Sequence, residues 1–169
     1  MTKKIALFVE DNYNEIEFWY PYYRMKEEGF EVIVIGSGRT DTFKSKLGTV
    51  TKGVYPKDIH TGDLDAVIIP GGYAPDRMRV SKDMLRIVKE MFSSGKVVAA
   101  ICHAGWVLAS AGILQGKKVT ACEMIKDDLV NAGAEFLDCE VIVDRNLVTS
   151  RVPDDVPAFS REILKLLNR

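Results

Sequence analysis

Residues 96–112 read KVVAAICHAGWVLASAG. An apolar run ends in Cys102 and His103, a thiol beside an imidazole, and a stretch of small residues follows. Such a pair could supply a nucleophile and its proton partner. A strand-to-helix nucleophile turn needs small residues two before and two after the nucleophile, because larger side chains would meet neighbouring backbone. Ala100 and Ala104 stand at those positions, and Gly105 follows. A cysteine at a helix N-terminus also faces free N–H groups that favour its thiolate. Taken alone, the motif fits a nucleophile turn and a buried strand-end cysteine equally. His103 could accept the thiol proton, although neighbouring residues on a sharp turn point in different directions. His60 is the other histidine, and it falls in a loop.

Two more strand ends carry possible chemistry. Pro70-Gly71-Gly72 follows the apolar run 66–69. Two glycines let an amide point outward, so Gly72 N–H could join His103 N–H as an oxyanion donor. A plain strand-ending turn explains the same residues. The first strand ends in Glu10–Asn14, within EDNYNE. That turn has no glycine and several acids, which repel phosphate, and no other segment gives a complete nucleotide fingerprint.

The elements that must position these ends follow from periodicity. Uniformly apolar strands are expected at 4–9, 31–35, 66–69 and 97–101, with a strand-like segment at 118–121. Hairpins are expected around 49–54 and at 140–143 with 147–150. Helices are expected at 15–28, 81–94, 104–111, 125–132 and 154–167, several of them ended by glycine. In the first helix Ile16, Trp19, Tyr20 and Tyr23 recur at helical spacing, with Pro21 among them. They read either as the core-facing stripe or as an oligomer contact. Buried strands alternating with helices predict a three-layer, doubly wound (flavodoxin-like) α/β sandwich with a mostly parallel sheet. Sites in such folds lie at the C-terminal strand ends.

The chain has 169 residues, which suits a single domain over 1–169. Net charge is −1, with both signs mixed and no basic block, so neither nucleic acid nor a membrane surface is an expected partner. The apolar runs are too short to cross a bilayer, and acids interrupt the N-terminal one too early for a signal peptide. Cys102, Cys122 and Cys139 are widely spaced with no CxxC, which argues against a disulfide framework or zinc cluster and suits a reducing cytoplasm. No metal and no cofactor is expected.

With these strand ends in place, the sequence resembles the PfpI-type (ThiJ/PfpI) family of the class I glutamine-amidotransferase-like superfamily. The resemblance rests on Tyr20-Pro21-Tyr22, PGGYAPDRMR at 70–79, AAICHAG around the cysteine, IKDDLVNAG at 125–133 and SRVPDD at 150–155. It implies an intracellular homo-oligomer with Cys102 as nucleophile, His103 as its partner, and the amides of Gly72 and His103 as oxyanion donors. Asp76 occupies the position of an acid that reaches a histidine across a subunit interface, where glutamate is usual. Asn14, Cys122, Gly71 and Ala104 are implied pocket residues, with Cys122 standing where a related pattern has tyrosine. The family glutamate that bonds the thiol aligns with Asn14, which can donate but cannot take a proton. Glu15 or Glu17 could substitute, and Asn14 also reads as a helix N-cap with Glu17 at N3. Residues 148–157 lack the histidine of a true glutamine amidotransferase. The expected activity is therefore a cysteine-dependent peptidase or amidase acting on a peptide or small molecule. The alternatives are a cofactor-free glyoxalase or deglycase acting on methylglyoxal or its adducts, and a redox-sensing stress protein. Glyoxalase chemistry moves a proton between carbons, so Asn14 in place of a carboxyl weighs against it.

Overall fold

The computed structural model describes residues 2–168. Six strands form the central sheet: β1 (Lys4–Val9), β2 (Glu31–Gly36), β5 (Ala66–Ile69), β6 (Val97–Ile101), β9 (Val141–Asp144) and β10 (Leu147–Ser150). Their spatial order is β2-β1-β5-β6-β10-β9. All neighbours are parallel except the β9–β10 hairpin. Two small two-stranded sheets lie outside it: β3 (Thr42–Lys44) with β4 (Val50–Lys52), and β7 (Lys118–Val119) with β8 (Glu135–Phe136). The helices are α1 (Glu15–Glu27), α2 (Ala74–Met78), α3 (Lys82–Ser93), α4 (Gly105–Ser110), α5 (Lys126–Asn131) and α6 (Val156–Leu167). The predicted α/β sandwich is what forms; α2, β3 and β8 are the helices and strands that periodicity passed over.

Burial explains the layering. Strands β5, β6 and β10 are buried along their whole length, as strands covered on both faces must be. Helix α3 presents Met84, Ile87, Val88 and Met91 to the sheet at helical spacing. Helix α6 presents Val156, Phe159, Ile163 and Leu167, and packs on β6, β10 and α1. Each such side chain contributes about 1.5–3 kcal/mol by leaving water.

Helix α1 buries a face that excludes one of its two readings. Its buried residues are Glu17, Phe18, Pro21 and Met25. Ile16, Tyr20 and Tyr23, which read as either a core stripe or an oligomer contact, are 57%, 41% and 62% exposed. Trp19 packs edge-on to Phe18 and stacks near Tyr23, so the outward aromatics cover one another. The core side of α1 carries a carboxylic acid in place of an aliphatic residue, which makes the aromatic face the more apolar of the two by composition.

The sheet order reverses at β1. From β1 the chain moves outward to β2, then crosses to β5 on the other side. The C-terminal ends of β1, β5 and β6 therefore meet at the switch point, where ligand sites of this architecture form.

Candidate active site

Cys102 follows β6 directly and opens a 3-10 turn, Cys102–Ala104, that runs into α4. Its φ is +61°, a left-handed conformation that a non-glycine residue adopts only when its surroundings impose it. The surroundings here are tight. Ala100 and Ala104 are buried on either side. A side chain at Gly105 would approach Ile125 and Leu129 of the α5 region within 2.9–3.1 Å. The alanines and the glycine thus allow the turn that the sequence predicted, and Cys102 is left half-buried at its apex.

Two side chains close on the sulfur. His103 Nδ1 lies 3.4 Å from Cys102 Sγ and 3.3 Å from Cys122 Sγ. Trp106 packs edge-on to the imidazole at 5.2 Å between centroids, which limits its rotation. Cys122 follows β7 and precedes the 3-10 turn Glu123–Ile125, whose last amide bonds to its carbonyl. The second thiol is therefore a small buried strand-end residue and a site residue at once. Cys139 lies elsewhere, its thiol against Val141 O at 3.7 Å.

The carboxyl at the site is Glu17, one of the two neighbours that could stand in for the carboxyl missing at Asn14. Asn14 is the N-cap of α1, and its Oδ1 accepts from the amides of Ile16 and Glu17 at 3.0 and 3.2 Å. That hydrogen bonding leaves its carbonyl committed to the helix end. Glu17, fully buried, turns inward instead. Its Oε2 accepts the Gly71 N–H at 2.7 Å, and its Oε1 has no partner among the described residues. Gly71 stands between the acid and Cys102: a Cβ there would lie 2.6 Å from Glu17 Oε2 and 2.7 Å from Cys102 Cβ. Only a residue without a side chain lets the two approach. Gly72 takes φ +78°, and a Cβ there would lie 2.5 Å from Asn12 O and 2.7 Å from Asn14 N, so only glycine lets the loops after β1 and β5 come this close. The amide of Tyr73 donates to Asn12 O, and that of Asn14 to Gly71 O. Gly72 N–H has no acceptor among the described residues.

The electrostatics follow from this burial. Glu17 is pushed up to about 9, chiefly by desolvation and next by the neighbouring Cys102, so it is protonated at neutral pH. Its free Oε1 is then available to carry a donor hydrogen. His103 is raised, first by its contact with Cys102. The thiols move in opposite directions through their mutual hydrogen bond. That bond and burial push Cys102 up to about 12, with His103 opposing, while the same bond lowers Cys122. Two sulfurs this close do not both ionise. The helix start was expected to lower Cys102; a turn of so few residues does not outweigh burial and a second thiol.

Other predicted residues stay apart. Asp76 is exposed on α2 and touches neither His103 nor Cys102 within the chain. His60 is exposed in the loop before β5. A cavity of about 480 Å³ opens beside Cys122, lined by Lys126, Phe136, Asp138, Arg151 and Val152 among others. It ties the SRVPDD segment to the site, with Arg151 bonded to Asp155 and Asp138. Among the described residues, no helix is long and apolar enough to cross a membrane.

Comparison with known proteins identifies the family. The sequence pattern of the DJ-1/PfpI family matches residues 3–166. A deglycase of Pyrococcus abyssi is 43% identical over 165 residues, covering 97% of this chain and 99% of that protein. Protein/nucleic acid deglycase 2 of Escherichia coli is 42% identical over 172 residues, covering 99% of each. Among solved structures, a two-domain protein of Anabaena variabilis with dj-1/thij/pfpi-like and ferritin-like domains superposes with a TM-score of 0.96 at 40% identity. The match covers 99% of this chain and 48% of that one. A nucleophile turn after β6, a buried acid reaching it from α1, and a sequence match over nearly the whole chain lead to one assignment: this chain belongs to the DJ-1/PfpI family.

Proposed function

We propose that the chain is a cofactor-free deglycase that uses Cys102 on α-oxoaldehydes such as methylglyoxal and on their adducts with amines. The observation that carries this reading is Glu17. Moving a proton between adjacent carbons needs a group that can both give and take it, beside the sulfur that holds the substrate. Asn14 could not do this; a buried carboxyl against Cys102 can. The names of the similar archaeal and bacterial proteins support the same reading.

The steps balance without an external oxidant. Cys102 passes its proton to His103 and attacks the aldehyde carbon, forming a hemithioacetal. The amides of Gly72 and His103 are placed to receive the developing oxyanion. From an amine adduct, the same attack releases the amine. Glu17 first gives its own proton to the neighbouring ketone oxygen; the carboxylate so formed takes the proton from the former aldehyde carbon, leaving an enediol, returns it to the neighbouring carbon, and recovers a proton from the hydroxyl on the sulfur-bonded carbon. The product is a 2-hydroxyacyl thioester. Water cleaves it, the thiol regains its proton, and the net reaction is α-oxoaldehyde plus water to 2-hydroxy acid.

A cysteine peptidase or amidase is the second reading, favoured by the turn at Cys102, the adjacent imidazole and the oxyanion amides. It does not use Glu17 as a carbon-to-carbon relay. A redox-sensing role is the third reading; it needs an accessible thiol, which half-buried Cys102 offers, but uses neither the oxyanion amides nor Glu17. A homo-oligomer remains part of the proposal: Asp76 is exposed on α2, free to reach a second copy, and the outward aromatics of α1 suit a subunit contact.

The test measures lactate formed from methylglyoxal alongside release from fluorogenic peptides. The wild type forms lactate, Cys102→Ser forms none, and Glu17→Gln loses about 10²–10⁴-fold. Lactate formation unaffected by Cys102→Ser overturns the reading. Cys102-dependent peptide release with no lactate moves the assignment to the hydrolase.

A further inference from the structure

The wide spacing of cysteine and histidine in the sequence argues against a metal cluster, yet the fold gathers Cys102, His103 and Cys122 into one triangle. Their ligand atoms, Sγ, Nδ1 and Sγ, all lie within 4.8 Å of one another. We propose that this triangle is a binding site for one borderline-soft d10 cation, of which zinc(II) is the type, with a fourth position open to water or ligand.

Geometry is the first argument. A tetrahedral zinc with bonds of about 2.3 Å to sulfur and about 2.0–2.1 Å to nitrogen sets sulfur and nitrogen about 3.6 Å apart. The two observed separations, 3.4 and 3.3 Å, are within a few tenths of that. The shared nitrogen is the second argument. Nδ1 can direct one hydrogen or one lone pair along a single line, so it cannot satisfy both sulfurs by hydrogen bonds. A cation at the centre of the triangle would satisfy all three atoms. Donor chemistry is the third. Two thiolates and an imidazole select zinc or copper(I) over magnesium or calcium, which require oxygen ligands.

The surroundings fit an ion site. Trp106 steadies the imidazole, and the 3-10 turns at 102–104 and 123–125 hold the two sulfurs. Glu17 Oε1, buried and without a partner, lies beside Cys102. The cavity beside Cys122 opens onto one of the three ligands. Binding exchanges two thiol protons for the dication, so the occupied site is neutral and two protons are released. Cys102 would then be a ligand, unavailable for attack. Metal binding stands apart from the proposed reaction; its inhibitory consequence rests on Cys102 being the nucleophile.

Cobalt(II), titrated into chelator-treated protein, reports the ligands through thiolate-to-metal charge-transfer absorption. We expect the band at one equivalent, its displacement by zinc(II), and its loss in Cys102→Ser and in Cys122→Ser. Cys139→Ser should retain it. Zinc affinity should fall at least tenfold in His103→Gln, the low end of the roughly 10–100-fold that loss of a group behind the ligands already costs. Alkylation of the wild type needs no variant: zinc should protect Cys102 and Cys122 but leave Cys139 reactive. A cobalt spectrum without the thiolate band, a band that survives Cys122→Ser, or equal labelling of all three cysteines overturns the site. Loss of lactate formation on zinc binding, with Cys102→Ser inactive, confirms inhibition. An active Cys102→Ser would overturn the proposed reaction and leave the cobalt result standing.

Discussion

Glu10 and Glu17 are both fully buried acids near the end of β1, and they are treated in opposite ways. Glu10 is saturated. Its Oε1 accepts from the Asp11 amide at 2.8 Å and from Arg39 Nη2 at 2.9 Å, and its Oε2 takes the Ser37 hydroxyl. Glu17 has one backbone amide, no cation, and an oxygen without a partner among the described residues. A buried carboxylate that serves structure is paired on every side, because an unpaired charge in low dielectric is costly. Glu17 avoids that cost by keeping its proton, and it keeps it beside a thiol. Of two adjacent buried acids, the one held incompletely satisfied is the one positioned for chemistry.

The comparison breaks most completely at Gly71, which has no counterpart around Glu10. Gly71→Ala places a Cβ between Glu17 and Cys102 and presses on Ile101 O at 3.0 Å. Overpacking of this kind costs about 1–3 kcal/mol. Here it also separates the acid from the nucleophile. We expect lactate formation to fall below detection and the thermal midpoint to drop, checked by assay and calorimetry. A folded Gly71→Ala protein with wild-type turnover would mean that Glu17 need not touch Cys102.

Glutamine substitutions then set the two acids against each other. Glu17→Gln keeps an acceptor for Gly71 N–H and removes the group that relays the proton. Activity should fall about 10²–10⁴-fold with stability unchanged or raised. Glu10→Gln should do the reverse. Weakening hydrogen bonds to a charged group costs about 1.5–3 kcal/mol, toward the low end here because Arg39 is half exposed and solvent screens it. Turnover should stay within a few-fold of wild type. Urea titration beside the lactate assay reads both quantities, and matching profiles for the two variants would refute the distinction.

The Glu17 result also marks where sequence reading stayed open. The sheet, its buried strands and the turn at Cys102 were legible because each is a local pattern: continuous apolar runs, and alanines at fixed offsets from the cysteine. Glu15 and Glu17 both stood as substitutes for Asn14, and the choice between them turned on which face of α1 is buried. Ile16, Trp19, Tyr20 and Tyr23 form the more apolar stripe, but they face outward. The buried stripe runs through Glu17, Phe18, Pro21 and Met25. A usable signal was present, since Phe18, Pro21 and Met25 share helical spacing and Glu17 is four residues before Pro21. Choosing that face would have turned Glu17 inward. For the Cys102–His103–Cys122 triangle the resemblance placed Cys122 in the pocket, but its closeness to His103 Nδ1 arises only in the fold, nineteen residues along the chain.

The smallest expected effect falls on Asn14, the residue to which alignment first gave the role of Glu17. As an N-cap it contributes about 1 kcal/mol, so Asn14→Ala should lower unfolding free energy by that amount and Asn14→Asp should not. Turnover should change little in either, because the loop after β1 is also held by the Asn14 and Tyr73 amides bonded to Gly71 O and Asn12 O. Asn14→Glu is the sharper variant. If the site lacked a carboxyl, adding one here would raise lactate formation. With Glu17 already against Cys102, we expect no gain and a modest loss of stability from the poorer cap. A rate increase in Asn14→Glu, measured in the same assay, would return the role to position 14 and reduce Glu17 to a second structural acid like Glu10.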